Sequence, residues 1–120
     1  MSKRFKTIYN NPHLKNFLTQ HPRFFIKVHY NLSKLYFLQG EYSPSHQHAE
    51  TGINISKMHE DMSMIGHLYF QKGMCYEKLN RSLNEIKDCY KNSLFLFQII
   101  SREKYIDMVL EKKGHFIDDV

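Results

Sequence analysis

The chain has 120 residues, 42% of them hydrophobic and 24% charged, which is ordinary for a single soluble globular domain. No apolar run reaches the roughly eighteen residues that cross a membrane, and a formal charge of +5 is too weak by itself to indicate nucleic-acid binding. The basic start of the chain lacks the apolar core of a secretory signal. Cys75 and Cys89 lie in apolar runs outside any CxxC motif, so we predict a cytoplasmic protein with buried, reduced thiols rather than a disulfide.

Apolar residues recur at intervals of three and four residues, which predicts helices and argues against strands. A first short helix is expected from Pro12 to Gln20, ended by the His21-Pro22 pair. The second helix is expected to stop at Gly40, a residue that suits a helix C-terminus. Its apolar face is predicted to consist of Phe25, Val28, Leu32, Leu35 and Tyr36.

A third helix is predicted to begin with Ser43 as the N-cap and Pro44 as the first helical residue. Its apolar residues are Ala49 and Ile53, followed after a turn by Ile55 and Met58. The polar segment 59–63 separates it from a fourth helix at 64–79.

Residues 80–82 form the next break, and Ser82 is predicted to be the N-cap of a fifth helix at 83–100. A sixth helix at 101–114 is expected to be capped by Ser101 and to end at Gly114. Residues 115–120 are expected to form a frayed tail. The fifth helix is predicted to pack through Leu83, Ile86, Tyr90, Leu94 and Phe97.

The chain contains an internal repeat. Ser33, Tyr36 and Gly40 align with Gly73, Tyr76 and Asn80 at an offset of 40 residues, and a third copy would begin near residue 102. A unit of about forty residues with two helices is typical of an α-solenoid, in which each helical hairpin buries its face against the next. We therefore predict an all-α solenoid of about two and a half repeats in one domain, with repeats at 24–60 and 63–100 and a C-terminal helix at 102–113.

The first unit resembles a tetratricopeptide repeat. Its leading helix has the bulky, leucine, small and aromatic positions of that repeat, its turn reads Gly-Glu-Tyr, and its second helix offers small packing positions. These residues are His29, Leu32, Ser33, Tyr36, 40–42, Ser45, Ala49 and Gly52. The second unit matches with Tyr69, Gly73, Tyr76 and Leu79, and its second helix is shifted by one residue, with Ile86, Tyr90 and Ser93 packing. His29 replaces a large apolar residue of the pattern, and Ala49 replaces an aromatic one.

The repeat unit has about the length seen in the peptide-sensing regulators of Gram-positive bacteria, the Rgg–PlcR–Rap group. The segment from Phe24 to Lys113 as a whole resembles these regulators. This resemblance implies a non-catalytic module without a cofactor, which binds a short peptide or protein segment and reaches DNA only through an attached or partner domain. A complete regulator of that kind also carries a helix-turn-helix domain, so we expect a fragment, a truncated relative or a separate adaptor. Because so short a solenoid leaves an exposed end, we also predict a homodimer that buries the helices after Leu83.

In tetratricopeptide arrays the leading helix of each hairpin lines the concave surface, so the resemblance also implies which side chains face a peptide. Asn31 and Gln71 occupy matching positions, and their amides would hydrogen-bond an extended peptide backbone. The lysines would meet a carboxylate, and the rings and the methionine would supply apolar contacts. The predicted site comprises Lys27, Tyr30, Asn31, Lys34, Phe37, His67, Phe70, Gln71, Met74 and Lys78, with Leu38 and Glu77 on the same faces. The alternative is that these side chains form a solvated face or a surface covered by another part of the parent protein.

Signatures of catalysis and metal binding are missing from the sequence. It has no glycine-rich phosphate loop, no GxSxG and no HExxH, and Cys75 fits a core position better than a nucleophile. His46 and His48 are two residues apart, so on a helix they point about 200° apart and chelate poorly. Three other functions stay open: a general protein-interaction adaptor, a Rap-like regulator of response-regulator phosphorylation, and a nucleic-acid binder that uses the basic face of Lys87, Lys91 and 112–113.

Overall fold

A computed structural model describes residues 11–117, apart from the side chain of Leu18. All regular structure in this range is helical, which confirms the predicted all-α class. The α-helices are α1 (Pro12–Gln20), α2 (Pro22–Leu38), α3 (Tyr42–Met58), α4 (Ile65–Lys78), α5 (Leu83–Ile99) and α6 (Glu103–Lys113), followed by a 3-10 helix (Gly114–Phe116). The predicted tail lies partly outside this range, at residues 118–120.

Helices α2 to α5 end in the same way. The residue two positions after each helix has a positive φ, and the N–H of the following residue donates to a carbonyl five residues earlier, at 2.9–3.0 Å. These left-handed residues are Gly40 (φ 77°), Glu60 (φ 53°), Asn80 (φ 56°) and Ser101 (φ 54°). This bond closes a Schellman-type end, which satisfies carbonyls that the helix leaves free. The ends recur every 20 or 21 residues, so the predicted alignment of Gly40 with Asn80 is confirmed.

Small residues hold the two helices of each hairpin close together. Between α2 and α3, the Ser33 hydroxyl donates to the Ser45 carbonyl at 2.7 Å, and the Ser45 hydroxyl donates to the Ser33 carbonyl at 2.6 Å. Between α4 and α5, a Cβ added to Gly73 would lie only 2.6 Å from the ring of Tyr90. The hairpins α2–α3 and α4–α5 stack through α3 against α4, and α6 packs on α5.

The core has two parts, the first between α2, α3 and α4 and the second formed by α5, α6 and the end of the described chain. The first consists of Ile26, Ile53, Ile55 and Leu68. The second consists of Ile86, Tyr90, Leu94, Phe97, Val109 and Ile117. Cys75 and Cys89 are buried free thiols, as predicted, and burial raises the pKa of both, that of Cys89 to about 11.

The structure corrects the predicted face of α2. Its buried residues are Ile26, His29 and Ser33, whereas Leu35 is exposed. Neighbouring helix positions differ by about 100°, so the true face is displaced by one residue from the predicted one. The hydrogen bonds between Ser33 and Ser45 explain the displacement, since they fix the side of α2 that meets α3.

Two predicted caps were wrong. Helix α3 begins at Tyr42 with Glu41 as the N-cap, so Ser43 lies inside the helix, and α3 runs without the predicted turn to an exposed Met58. Helix α6 has Arg102 as its N-cap, because Ser101 adopts the left-handed conformation that ends α5. Ser82 does cap α5, and it forms a reciprocal capping box with Glu85.

The C-terminal part departs from the predicted frayed tail, because Ile117 is buried in the second core. Leu83 was expected in the core but is exposed, since it is the first residue of α5. Within residues 11–117, no helix is long and apolar enough to cross a membrane. In the same part of the chain, no cluster of three or more His, Cys, Asp or Glu side chains is placed to hold a metal ion.

Candidate functional site

The leading helices α2 and α4 together line an apolar cavity of about 230 Å³. Its lining residues are Lys34, Phe37, Leu38, Gln71 and Met74, all of them on the faces that the sequence assigned to the concave surface. Three come from α2 and two from α4, so neither hairpin forms this cavity alone. The alignment of the two repeats therefore brings together residues that are about forty positions apart in the chain.

Gln71 is the polar group that distinguishes this cavity. The residue is only 4% exposed, and within residues 11–117 its amide Nε2 has no hydrogen-bond partner. The amide lies near the Cys75 thiol, and burial raises the pKa of that thiol. A buried polar group without a partner costs about 1–3 kcal/mol, so this amide is poised to bond a group that enters the cavity.

A second cavity, of about 260 Å³, lies where α2, α4 and α6 begin. It is lined by Arg23, Lys27, Ser63, Met64, His67, Ile100, Arg102 and Tyr105. Lys27 and His67 were predicted, whereas Arg23 and Arg102 were not. Both arginines lie at the start of a leading helix, Arg23 in α2 and Arg102 before α6. The repeat alignment would have indicated them if it had been extended to the helix starts and to the third copy of the repeat.

Tyr30 lines neither cavity, but it packs against His67, which lines the second. Their ring centroids are 5.8 Å apart, and Lys34 Nζ lies 5.2 Å from the centroid of Tyr30. His67 also meets the ring of Tyr105 edge to face, with centroids 4.3 Å apart. Burial lowers the pKa of His67, and the positive charges of Arg102 and Lys34 lower it further. The imidazole is therefore neutral at pH 7 in a positive electrostatic field.

Four other residues on the predicted faces lie outside these cavities. Phe70 packs on the core residue Tyr90, with ring centroids 5.4 Å apart, and so belongs to the second core. Glu77 accepts hydrogen bonds from Tyr90 and from Lys113, the latter at 2.8 Å, and is therefore not part of the groove. Asn31 and Lys78 are exposed and line neither cavity, and Lys78 Nζ lies 6.0 Å from the ring centroid of Tyr42.

Stacked helical hairpins whose leading helices line shared cavities define a tetratricopeptide-like domain. The chain belongs to the RNPP family, since the model of the RNPP family C-terminal domain matches residues 3–118. The fold and the resemblance to peptide-sensing regulators are thereby confirmed.

Two solved structures of a regulator from Bacillus thuringiensis are similar to the chain. PlcR in complex with the peptide PapR7 and DNA is 33% identical with a TM-score of 0.72, and apo PlcR is 32% identical with a TM-score of 0.69. Each match covers 82% of this chain but only 37% and 38% of the PlcR chains, so this chain spans less than two fifths of their length. A search of curated proteins found no match.

Proposed function

We propose that this chain is the peptide-binding, sensing region of a cytoplasmic, peptide-responsive transcriptional regulator, which reaches DNA through an attached or partner domain. Membership of the RNPP family and the similarity to PlcR, which has been solved with a peptide and DNA, support this function. The peptide would occupy the groove between α2 and α4. Its binding would favour one arrangement of the two hairpins over others, and that population shift is the signal.

The amide of Gln71 is the observation that carries the proposal. An extended peptide presents backbone N–H and C=O groups at regular intervals, and a glutamine amide can pair with either of them. A carbonyl placed in the apolar cavity would satisfy Gln71 Nε2, which has no hydrogen-bond partner among the described residues. The apolar walls supplied by Phe37, Leu38 and Met74 would at the same time bury one side chain of the peptide.

The role is regulatory rather than catalytic. Cys75, the one nucleophile considered from the sequence, is completely buried and donates to the Ser45 hydroxyl at 3.2 Å. Burial raises its pKa, so the thiol is protonated at pH 7 and is a poor nucleophile. Its contacts are those of a core residue that joins α4 to the first hairpin.

Retention of random hexapeptides on the immobilised chain, read by mass spectrometry, tests the proposed function. Met74→Lys places a charge in the apolar cavity, and Met58→Lys makes the same change at an exposed site on α3. We expect the wild type and Met58→Lys to enrich a common set of peptides and Met74→Lys to lose it. No enrichment by the wild type, or equal enrichment by all three proteins, would overturn the proposal.

Gln71→Leu separates a binding role from a structural one. Leucine has a similar size and removes the unpaired amide, so we expect the free energy of unfolding to stay the same or to rise. The enriched peptides should nevertheless bind more weakly by a factor of about ten, because each loses a buried hydrogen bond. A variant that binds these peptides as tightly as the wild type would remove Gln71 from the site.

We also propose the homodimer that the sequence predicted. Phe95 and Ile99 lie four residues apart on α5, so they share one face, and they are 60% and 53% exposed. Two large apolar side chains exposed on one face of α5 would be buried by a partner helix, and this favours α5 as the dimer surface. Light scattering after size exclusion should give a dimer at micromolar concentration for the wild type and Met58→Lys, and a monomer for Phe95→Lys. A monomeric wild type would refute the dimer.

A further inference from the structure

The cationic cavity at the start of α2, α4 and α6 has no role yet. We propose that it binds a carboxylate of the peptide, so that the groove holds the peptide in one direction, with a carboxylate at Lys27 and Arg102 and an apolar side chain beside Met74. This inference rests on the proposed function and adds the chemical class and the orientation of the ligand.

The charges around this cavity are unbalanced. Among the described residues that line it, three are cationic and none is acidic. Arg23 is already paired, since its Nε lies 3.1 Å from Asp61 Oδ2. None of the described carboxylates forms an ion pair with Lys27 or Arg102. Glu60 and Asp61 do line the adjoining cavity, which Arg102 also lines, but neither forms an ion pair with Arg102 or Lys27 within residues 11–117. These two positive charges are therefore left to attract an anion.

Asp61 is committed to its own contacts and does not compete for the cavity. Burial acts to raise its pKa, but hydrogen bonds from Ser63 and Arg23 outweigh burial and hold the pKa below its ordinary value. The Ser63 N–H and hydroxyl both donate to Asp61 Oδ1, at 2.9 and 2.6 Å. This carboxylate fixes the turn before α4 and orients Arg23 at the edge of the cavity.

The start of α4 adds to the positive potential. Met64 is the N-cap of α4 and lines the cavity, and its side chain caps no backbone N–H. The first turn of a helix carries partial positive charge, which favours an anion nearby. The rings of His67 and Tyr105, with Ser63 and Ile100, line the rest of the cavity. Lys27 and Arg102 are exposed, so their attraction for a carboxylate should weaken at high salt.

The separation of the two cavities sets the spacing in the ligand. Lys27 and Lys34 are seven residues apart on α2, which is about 10 Å along the helix axis, and His67 and Met74 have the same spacing on α4. An extended peptide advances about 3.3 Å per residue, so two residues and a terminal carboxylate cover this distance. Gln71 lies between the two ends and would meet the intervening backbone.

A carboxylate comes either from the C-terminus of a peptide or from an Asp or Glu side chain, and three hexapeptide libraries without Lys and Arg distinguish these sources. The first has free C-termini and no Asp or Glu. The second has C-terminal amides and includes Asp and Glu. The third has C-terminal amides and neither acid, so it carries no carboxylate. Each library is applied to the wild-type chain, to Lys27→Gln and to Lys15→Gln, an exposed control on α1 with the same change of charge.

Retention of the first or the second library, but not of the third, is the expected result and identifies the source of the carboxylate. Lys27→Gln should weaken that retention by about tenfold, as for a lost charge-assisted hydrogen bond, and Lys15→Gln should not. Equal retention of all three libraries, or equal losses in both variants, would overturn the carboxylate site while peptide binding stands. No retention of any library would overturn the proposed function as well, and this inference with it.

Discussion

The buried pair of His29 and His48 is predicted to make the fold sensitive to acid. Their Nδ1 atoms are 3.1 Å apart, and the side chains are 0% and 7% exposed. One ring must accept the hydrogen bond that the other donates, so at least one Nδ1 has to stay unprotonated. Burial, and in second place the charge of His48, lowers the pKa of His29 from 6.5 to about 4.

The sign and size of the effect follow from this lowered pKa. Well above pH 6.5 His29 is neutral in both the folded and the unfolded chain, and its contribution to stability is fully present. As the pH falls below 6.5, the unfolded chain binds a proton that the folded chain does not, so the free energy of unfolding falls. A pKa of 6.5 unfolded and about 4 folded gives a loss of roughly 2 kcal/mol at pH 5 and roughly 3 kcal/mol at pH 4. His48, whose pKa is also lowered by burial, acts in the same direction.

Urea unfolding followed by circular dichroism, from pH 7.5 to pH 4, measures this loss. The test variant is His29→Leu, because the repeat pattern has a large apolar residue at that position. The wild type should lose stability with falling pH more steeply than His29→Leu, by about 2 kcal/mol at pH 5. Other groups with lowered pKa values, such as His67 and Glu77, contribute equally to the pH dependence of both proteins, so their contributions cancel in this comparison. The exposed His13→Leu should keep the wild-type slope, and parallel slopes for the wild type and His29→Leu would refute the reasoning.

Two further predictions concern helix packing and capping. Gly73→Ala should destabilise the fold by about 1–2 kcal/mol in thermal or urea unfolding, because the clash with the Tyr90 ring outweighs the gain in helix propensity. Gly114→Ala is the control and should not destabilise the fold, because a Cβ added to Gly114 would meet no atom within 4 Å. Ser82→Ala should cost about 1 kcal/mol by the loss of the cap on α5, and Ser82→Asp should restore most of it. Wild-type stability in Gly73→Ala would contradict the close approach of α4 and α5, and wild-type stability in Ser82→Ala would contradict the cap.

The parts of the fold that the sequence predicts well are those set by local chemistry. The first helix follows from Pro12 and the His21-Pro22 pair, and the start of α5 follows from Ser82 with Glu85 three residues later. Gly40 has no Cβ to oppose a positive φ, so it predicts a helix end without tertiary information.

Local chemistry fails where a tertiary contact decides the outcome. Glu60 and Ser101 also end helices with positive φ, but neither residue type signals it. The buried face of α2 was displaced because small polar residues, rather than the apolar residues with the clearest period, form its contact with α3. Arg23 and Arg102 are 79 positions apart, and only the stacking of successive hairpins brings them to one cavity.

The stacking also bears on how a peptide would act as a signal. Both cavities draw on more than one hairpin, since α2 and α4 line the first and α6 adds Arg102 and Tyr105 to the second. In the proposed complex, a peptide therefore contacts hairpins that the backbone joins only through turns. The affinity of the peptide depends on the angle between these hairpins. The peptide can change the populations of two hairpin arrangements only to the extent that it binds one of them more tightly than the other. Gln71 and Arg102 belong to different repeat units. Substitutions at either residue that weaken peptide binding should therefore also reduce the change in hairpin arrangement that the peptide causes.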